Sequence, residues 1–277
     1  MKNILIPVDF SEEAANAAFY AAQLAKQFGA ELTLMYVFRL PIAVSEVPYP
    51  VDFVRIEEEN RDLLSGLAKQ LEIKYGVKAH QVSVSGFADD EILEKVASSG
   101  IDLVVIGMKG AGRKLSFLLG STATAVMKKS PVPVLAIPGD ATFKIPGHIL
   151  LTSDFQKVNH PEIFKTLTVL CKHFRADVSL LNVIKPGELP QRKKAMEGIR
   201  LETYLEGVDF QFEFEEEGNV ETGVERYLNK HPADLLVIVP HQHSIMERLF
   251  YKTHSAKLML HASIPVLALP DKVLTNA

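Results

Sequence analysis

The sequence predicts an α/β protein made of two copies of one doubly wound parallel fold. Three observations predict it. The segment from Gly86 to Pro138 aligns without a gap on Gly218 to Pro270, with 11 of 53 positions identical. Strand-like runs alternate with helical patterns in each half, which implies a parallel sheet with right-handed crossovers and helices on both faces. The strand-like runs are apolar throughout, as in Leu103-Val104-Val105-Ile106, and this suits strands covered on both sides.

The repeat is clearest where it bears on strands. Asp102 to Ile106 falls on Asp234 to Ile238, and Pro133 to Pro138 on Pro265 to Pro270. Upstream, Ile4 to Phe10 resembles Ile149 to Phe155, which sets Asp9 opposite Asp154, and Ala30 to Val37 resembles Ala176 to Val183. The first half reads as strand 2–7, helix 11–28, strand 31–37, helix 52–75, strand 78–84, helix 89–98, strand 102–106, a loop, helix 121–130 and strand 133–137. The second half repeats this order with a shorter second helix near 190–206. Residues 139–147, with Pro146, read as a linker, giving domains at 1–140 and 147–277.

Composition narrows the function. Of 277 residues, 47% are apolar and 23% charged, and the formal charge is −4. That balance leaves no basic footprint for nucleic acid and no polybasic membrane signal. Cys171 is the one cysteine, so no internal disulfide forms and a reducing compartment is favoured. The chain enters a strand-like run at Ile4 with no basic-then-apolar leader, and no apolar run approaches the ~18 residues of a membrane span. The expectation is a cytoplasmic protein without nucleic-acid or membrane partners.

Ligands of doubly wound sheets bind beyond the carboxyl ends of strands, where the strand order reverses. Asp9 follows the first strand and Gly107 the fourth. The fourth strand opens into Gly107-Met108-Lys109-Gly110-Ala111-Gly112-Arg113-Lys114, and Gly120-Ser121-Thr122 then starts a helix. Glycines let backbone approach an anion, and free N–H groups at a helix start suit a phosphate. Lys109, Arg113 and Lys114 add positive charge. Two motifs nearly match and fail. A Walker A loop would need its lysine one residue earlier, followed by Ser or Thr, and a dinucleotide fingerprint would need glycine where Leu115 stands. Plainer readings stay open beside binding: Asp9 as a helix cap with Glu12 three residues on, Ser121 as an N-cap, and the glycine stretch as an ordinary strand-to-helix connection.

The spacing that fits is G-x-x-G, nine residues, then G-[ST], met by Gly107, Gly110, Gly120 and Ser121. This resembles the ATP-binding signature of the universal stress protein family. The resemblance extends through Ile6-Pro7-Val8-Asp9-Phe10-Ser11, Gly86 to Ile92 and Val132 to Leu135. It implies an adenine nucleotide alpha hydrolase-like fold with strand order 3-2-1-4-5 in each half. It implies that Asp9 binds the ribose of adenosine and that Val37 offers backbone hydrogen bonds to adenine. Gly107, Gly110, Gly120 and Ser121 would hold the phosphates of ATP or AMP, with Mg or Mn accompanying ATP through the phosphates. It also implies pairing through the fifth strands, Pro133 to Ile137 and Pro265 to Leu269, as a pseudo-dimer within one chain; a further homodimer stays open.

The second half departs from the signature. Gly107 becomes Val239, Gly110 becomes Gln242, Gly112 becomes Ser244 and Gly120 becomes Lys252, while Ser121 becomes Thr253. Side chains at former glycines crowd a phosphate path, so the second site reads as lost. Eight of the nine histidines lie from His148 onward. His241, His243 and His254, with Glu247 nearby, read either as a polar loop or as metal ligands. The leading function is a nucleotide-binding regulatory stress protein with its nucleotide in the first half. The alternatives are a slow ATP hydrolase, and a small-molecule, metal or protein interaction module in the second half. No paired carboxylates or Ser/His/Asp set marks a catalytic centre.

Overall fold

The computed structural model describes residues 1–39, 53–108, 120–152, 161–187, 205, 207–239 and 264–270. In the first half, strands β1 (Asn3–Pro7), β2 (Glu31–Phe38), β3 (Ala79–Ser85), β4 (Leu103–Met108) and β5 (Val134–Pro138) alternate with helices α1 (Glu12–Phe28), α2 (Phe53–Tyr75), α3 (Ala88–Ser98) and α4 (Ser121–Lys129). The second half contributes β6 (His148–Thr152), β7 (Asp177–Ile184), β8 (Phe210–Glu216), β9 (Leu235–Ile238) and β10 (Val266–Ala268). A short 3₁₀ turn, Pro161–Phe164, leads into α5 (Lys165–Phe174), and α6 is Val220–Lys230. The second helix expected near 190–206 lies outside the described residues.

The strands form one sheet in the order β3-β2-β1-β4-β5-β10-β9-β6-β7-β8. Each half therefore has the 3-2-1-4-5 order, with parallel pairing inside it. The two expected sheets are continuous, because β5 and β10 pair antiparallel with Leu135 opposite Leu267. Val134, Ala136, Val266 and Ala268 flank that pair and are buried. An apolar strand left at a sheet edge is an aggregation template; here each fifth strand covers the other.

Side-chain alternation sends Ile4, Ile6 and Val8 to the face covered by α1 and α2, and Leu5 to the face covered by α3 and α4. Both cores run through the seam, α5 joining the first and α6 the second. The two halves repeat a local clasp. Asp102 takes the N–H groups of Lys2 and Asn3, and Asp234 takes those of Gly147 and His148, at 2.9 and 3.1 Å. Each carboxylate fixes the start of its half's first strand beside the fourth.

The linker is packed. Asn16 Nδ2 of α1 donates to the carbonyls of Pro138 and Ala141, both at 2.9 Å. Phe143 meets Tyr20 edge-on, with ring centroids 5.1 Å apart. Further along α1, Phe28 stacks on His173 and Phe174 of α5, at 4.2 and 5.5 Å. Among the described residues, no helix is long and apolar enough to cross a membrane.

Two outcomes follow. Val266→Asp sets an unpaired charge at a position only 2% exposed. It should cost on the order of 3–5 kcal/mol, read as a large fall in melting temperature; an unchanged melt would locate the seam elsewhere. Cys171 is buried in α5, and burial pushes its thiol up to about 12. The native protein should resist a thiol reagent at pH 8 and react once unfolded. The unfolded thiol ionises at lower pH, so this group's contribution to stability holds below about pH 9 and fades as pH rises toward 12.

Candidate nucleotide site at the switch point

The site expected from the sequence centres on the carboxyl ends of β1 and β4, adjacent strands whose outgoing connections run to opposite sides of the sheet. Ile4 pairs with Leu103 and Leu5 with Val104. Continued at that offset, Val8 stands level with Gly107 and Asp9 with Met108.

Between β1 and α1 lie four residues. Val8 still donates its N–H to the Met35 carbonyl at 2.9 Å. Ser11 is the N-cap of α1, its Oγ accepting the Ala14 N–H at 3.2 Å. The capping role considered for Asp9 therefore belongs to Ser11. Asp9 is exposed, and its Oδ1 accepts both the N–H of Ser11, at 3.0 Å, and the Ser11 hydroxyl. Among the described residues no group bonds Oδ2. Glu12 and Glu13 occupy the first turn of α1, where negative charge suits the helix dipole.

Val37 lies one residue before the end of β2, which runs on to Phe38. The Met35 carbonyl faces β1, because it accepts from Val8, and the Phe38 carbonyl faces β3, because it accepts the Gly86 N–H at 3.0 Å. Strand alternation puts the N–H and C=O of Val37 on the β1 side. The pairing of β1 with β2 stops at Pro7 and Met35, so these two groups face the space beyond the end of β1.

Gly107 was expected in the loop after the fourth strand, yet it is the penultimate residue of β4, opposite Ile137. A Cβ there would lie 2.5 Å from the Glu13 carbonyl oxygen and 2.9 Å from Ala14 N. The first turn of α1 thus rests directly on β4, and this contact accounts for the glycine. Gly120 behaves differently. It caps α4 with φ −56° and ψ 153°, a conformation open to any residue, and among the described residues an added Cβ meets nothing within 4 Å. Ser121 follows as the exposed first residue of α4, whose leading N–H groups have no intrahelical partners. Gly110, Lys109, Gly112, Arg113 and Lys114 lie outside the described residues, so the structure brings together Asp9, Val37 and Gly107 and sets Gly120 and Ser121 at the start of α4.

Sequence reasoning missed three contacts. Phe10 has φ +60°, in the left-handed region, and its ring packs at a tilt against Tyr36 with centroids 4.8 Å apart. The Glu91 side chain folds against Gly86, where a Cβ would lie 2.3 Å from Oε1. In the second half, Gly223 of α6 lies so close to Val183, the counterpart of Val37, that a Cβ would come within 2.6 Å of its methyl groups. A glycine inside a helical pattern is the signal that could have flagged the last.

The second-half counterpart of Gly107, Val239, is 1% exposed. Asp154, Gln242, Ser244, Lys252, Thr253, His241, His243, His254 and Glu247 lie outside the described residues. Among the described residues no group of three or more His, Cys, Asp or Glu could hold a metal ion. The displaced ionisations lie away from the switch point. Burial raises Tyr20 and Tyr227, and hydrogen bonds from His80 and then Lys78 lower Glu31.

The fold defines a tandem α/β protein with a topological switch point between β1 and β4 in its first half. The universal stress protein family model matches residues 1–138 and 147–270, and the chain belongs to that family. It is 33% identical over 139 residues to universal stress protein MJ0531 of Methanocaldococcus jannaschii, covering 49% of this chain and 81% of that protein. It is 27% identical to universal stress protein Slr1230 of Synechocystis over an alignment covering 96% of this chain and 99% of that one. A crystal structure of a universal stress protein from Archaeoglobus fulgidus superposes with a TM-score of 0.75 at 19% identity, covering 97% of this chain and 98% of that one, a likeness of fold.

The two glycines should separate on mutation. Gly107→Ala forces backbone apart and should cost about 1–3 kcal/mol or more. Gly120→Ala should cost no more than about 1 kcal/mol. Urea unfolding measures both; equal losses would contradict the packing role of Gly107.

Proposed function

We propose that the first half binds an adenine nucleotide, ATP or AMP, and that the protein acts as a nucleotide-responsive regulator. One observation carries this reading: at the switch point, the Oδ2 of Asp9, the backbone edge of Val37 beyond the end of β1 and the leading amides of α4 have no bonding partner among the described residues. A carboxylate suits sugar hydroxyls, a strand edge suits the donor and acceptor edge of adenine, and helix-start amides suit phosphate. Gly120 supports the phosphate assignment, since neither its backbone angles nor its neighbours require a glycine. Gly110 and Ser121 complete the proposed phosphate contacts, while Gly107 contributes by letting α1 reach β4. Mg or Mn enters with the phosphates of ATP.

The proposed division of labour puts the nucleotide in residues 1–140 and leaves 147–277 as a structural partner, the two forming an intramolecular pseudo-dimer. The antiparallel register about Leu135 and Leu267 supports the pseudo-dimer. Val239 and the tight contact of Gly223 on Val183 support loss of the second site.

Calorimetry with ATP and AMP tests the assignment. Asp9→Ala should weaken binding roughly tenfold or more, as expected for losing hydrogen bonds to a charged group. Gly120→Ala should weaken ATP more than adenosine, because its Cβ enters the phosphate path, and any phosphate release should fall with it. Wild-type affinity in both variants, with their folds intact, would remove the nucleotide from this cleft.

A further inference from the structure

We propose that Phe10 is a positioning residue of the nucleoside subsite: its left-handed backbone holds Asp9 with one carboxylate oxygen engaged and the other presented to a sugar hydroxyl. The inference rests on the nucleotide reading above and concerns how that site is built.

A positive φ is unusual for any residue with a side chain and is a strained state for a large aromatic one. Among the described residues only Phe10 and Arg175 combine a side chain with positive φ. Arg175 follows the last turn of α5, where the left-handed conformation commonly ends helices. Phe10 has no such position. It lies between a strand and a helix start, next to the proposed ligand carboxylate.

The local geometry shows what the strain achieves. β1 is still bonded to β2 at Val8, and α1 is already capped at Ser11. Only Asp9 and Phe10 remain to redirect the chain. With Phe10 left-handed, the Ser11 N–H turns back onto Asp9 Oδ1 at 3.0 Å, an Asx turn. The Ser11 hydroxyl donates to the same oxygen and accepts from Ala14 N–H, tying the carboxylate to the first turn of α1. Oδ1 is thereby occupied, while among the described residues nothing bonds Oδ2. The Phe10 ring remains 36% exposed yet packs at a tilt against Tyr36, which stacks in turn on Phe38 at 6.2 Å. Tyr36 and Phe38 flank Val37 in β2. The stack therefore links the carboxylate proposed to read the sugar to the backbone proposed to read the base.

A sugar-selective comparison tests this apart from general stability. Wild-type protein is titrated with ATP and with 2′,3′-dideoxy-ATP, which lacks the hydroxyls Asp9 would read. The wild type should prefer ATP roughly tenfold or more. Phe10→Gly, which adopts positive φ without strain, should keep that preference although the ring is gone. Phe10→Val, whose β-branched side chain resists positive φ, should bring the ratio close to one while leaving dideoxy-ATP affinity within about twofold. Circular dichroism and melting curves check each fold. A folded Phe10→Val variant that keeps the preference would overturn the proposal. So would a Phe10→Gly variant that loses it, and that result decides the matter even if the valine variant does not fold. A wild type that binds both nucleotides equally would instead reject the sugar assignment of Asp9, before any Phe10 variant is considered.

Discussion

The contact on which the candidate site depends is the close approach of α1 to β4 at Gly107. With hydrogen in place of a side chain, the Glu13 carbonyl comes to where a Cβ would be only 2.5 Å away. The start of α1 is thereby drawn onto the sheet at the switch point, bringing with it Ser11, the cap, and Asp9, bonded to that cap. The small residues of α1 extend the same closeness along the helix, with Ala14, Ala17, Ala18, Ala21, Ala22 and Ala25 all buried. The geometry at Asp9 is thus a consequence of helix-on-sheet packing.

The second half carries a different residue at the corresponding position. Phe28 and Phe174 end equivalent helices, followed in each case by a left-handed residue, Gly29 and Arg175. Counted back from there, α1 has 17 residues, whereas α5 has 10, preceded by a 3₁₀ turn of 4. In the second half Val239 stands where the first has Gly107, and it is buried in the core. α6 fits tightly on Val183. The two halves thus differ in a packed position, Gly107 against Val239, as well as in the composition of the loop that follows.

Much of this was legible in the sequence, because the repeat reports spacing. The match of Asp102 with Asp234 anticipated two equivalent strand starts, and both carboxylates clasp the start of their half's first strand in the same way. The apolar match between Pro133–Pro138 and Pro265–Pro270 anticipated equivalent strands that meet at the seam. Strand order came from the family resemblance, since alternation of elements does not fix it. The site was legible as residue types and less so as roles. Asp9 and Glu12 have capping-box spacing, but Ser11 takes the cap, and only the turn at Phe10 decides between them. Gly107 read as a loop glycine because its reason, a helix start some 95 positions earlier, is tertiary. The positive φ at Phe10 has no sequence signal, since an aromatic residue is the last choice for such a backbone.

The seam explains how one half can lose a site while remaining in the fold. It uses the middles of β5 and β10, with Phe28 of α1 against His173 and Phe174 of α5, and the linker lies along α1 through Asn16 and Tyr20. None of these groups is at the strand-end cleft. In a pair of identical chains, any substitution enters both sites at once. Covalent linkage removes that constraint and makes the pairing intramolecular, so covering the β5 edge no longer depends on protein concentration. Substitutions such as Val239 can then accumulate at the second cleft without uncovering the seam. The second half supplies what the first needs from a neighbour, an apolar strand in antiparallel register with β5 and a helix face to pack against.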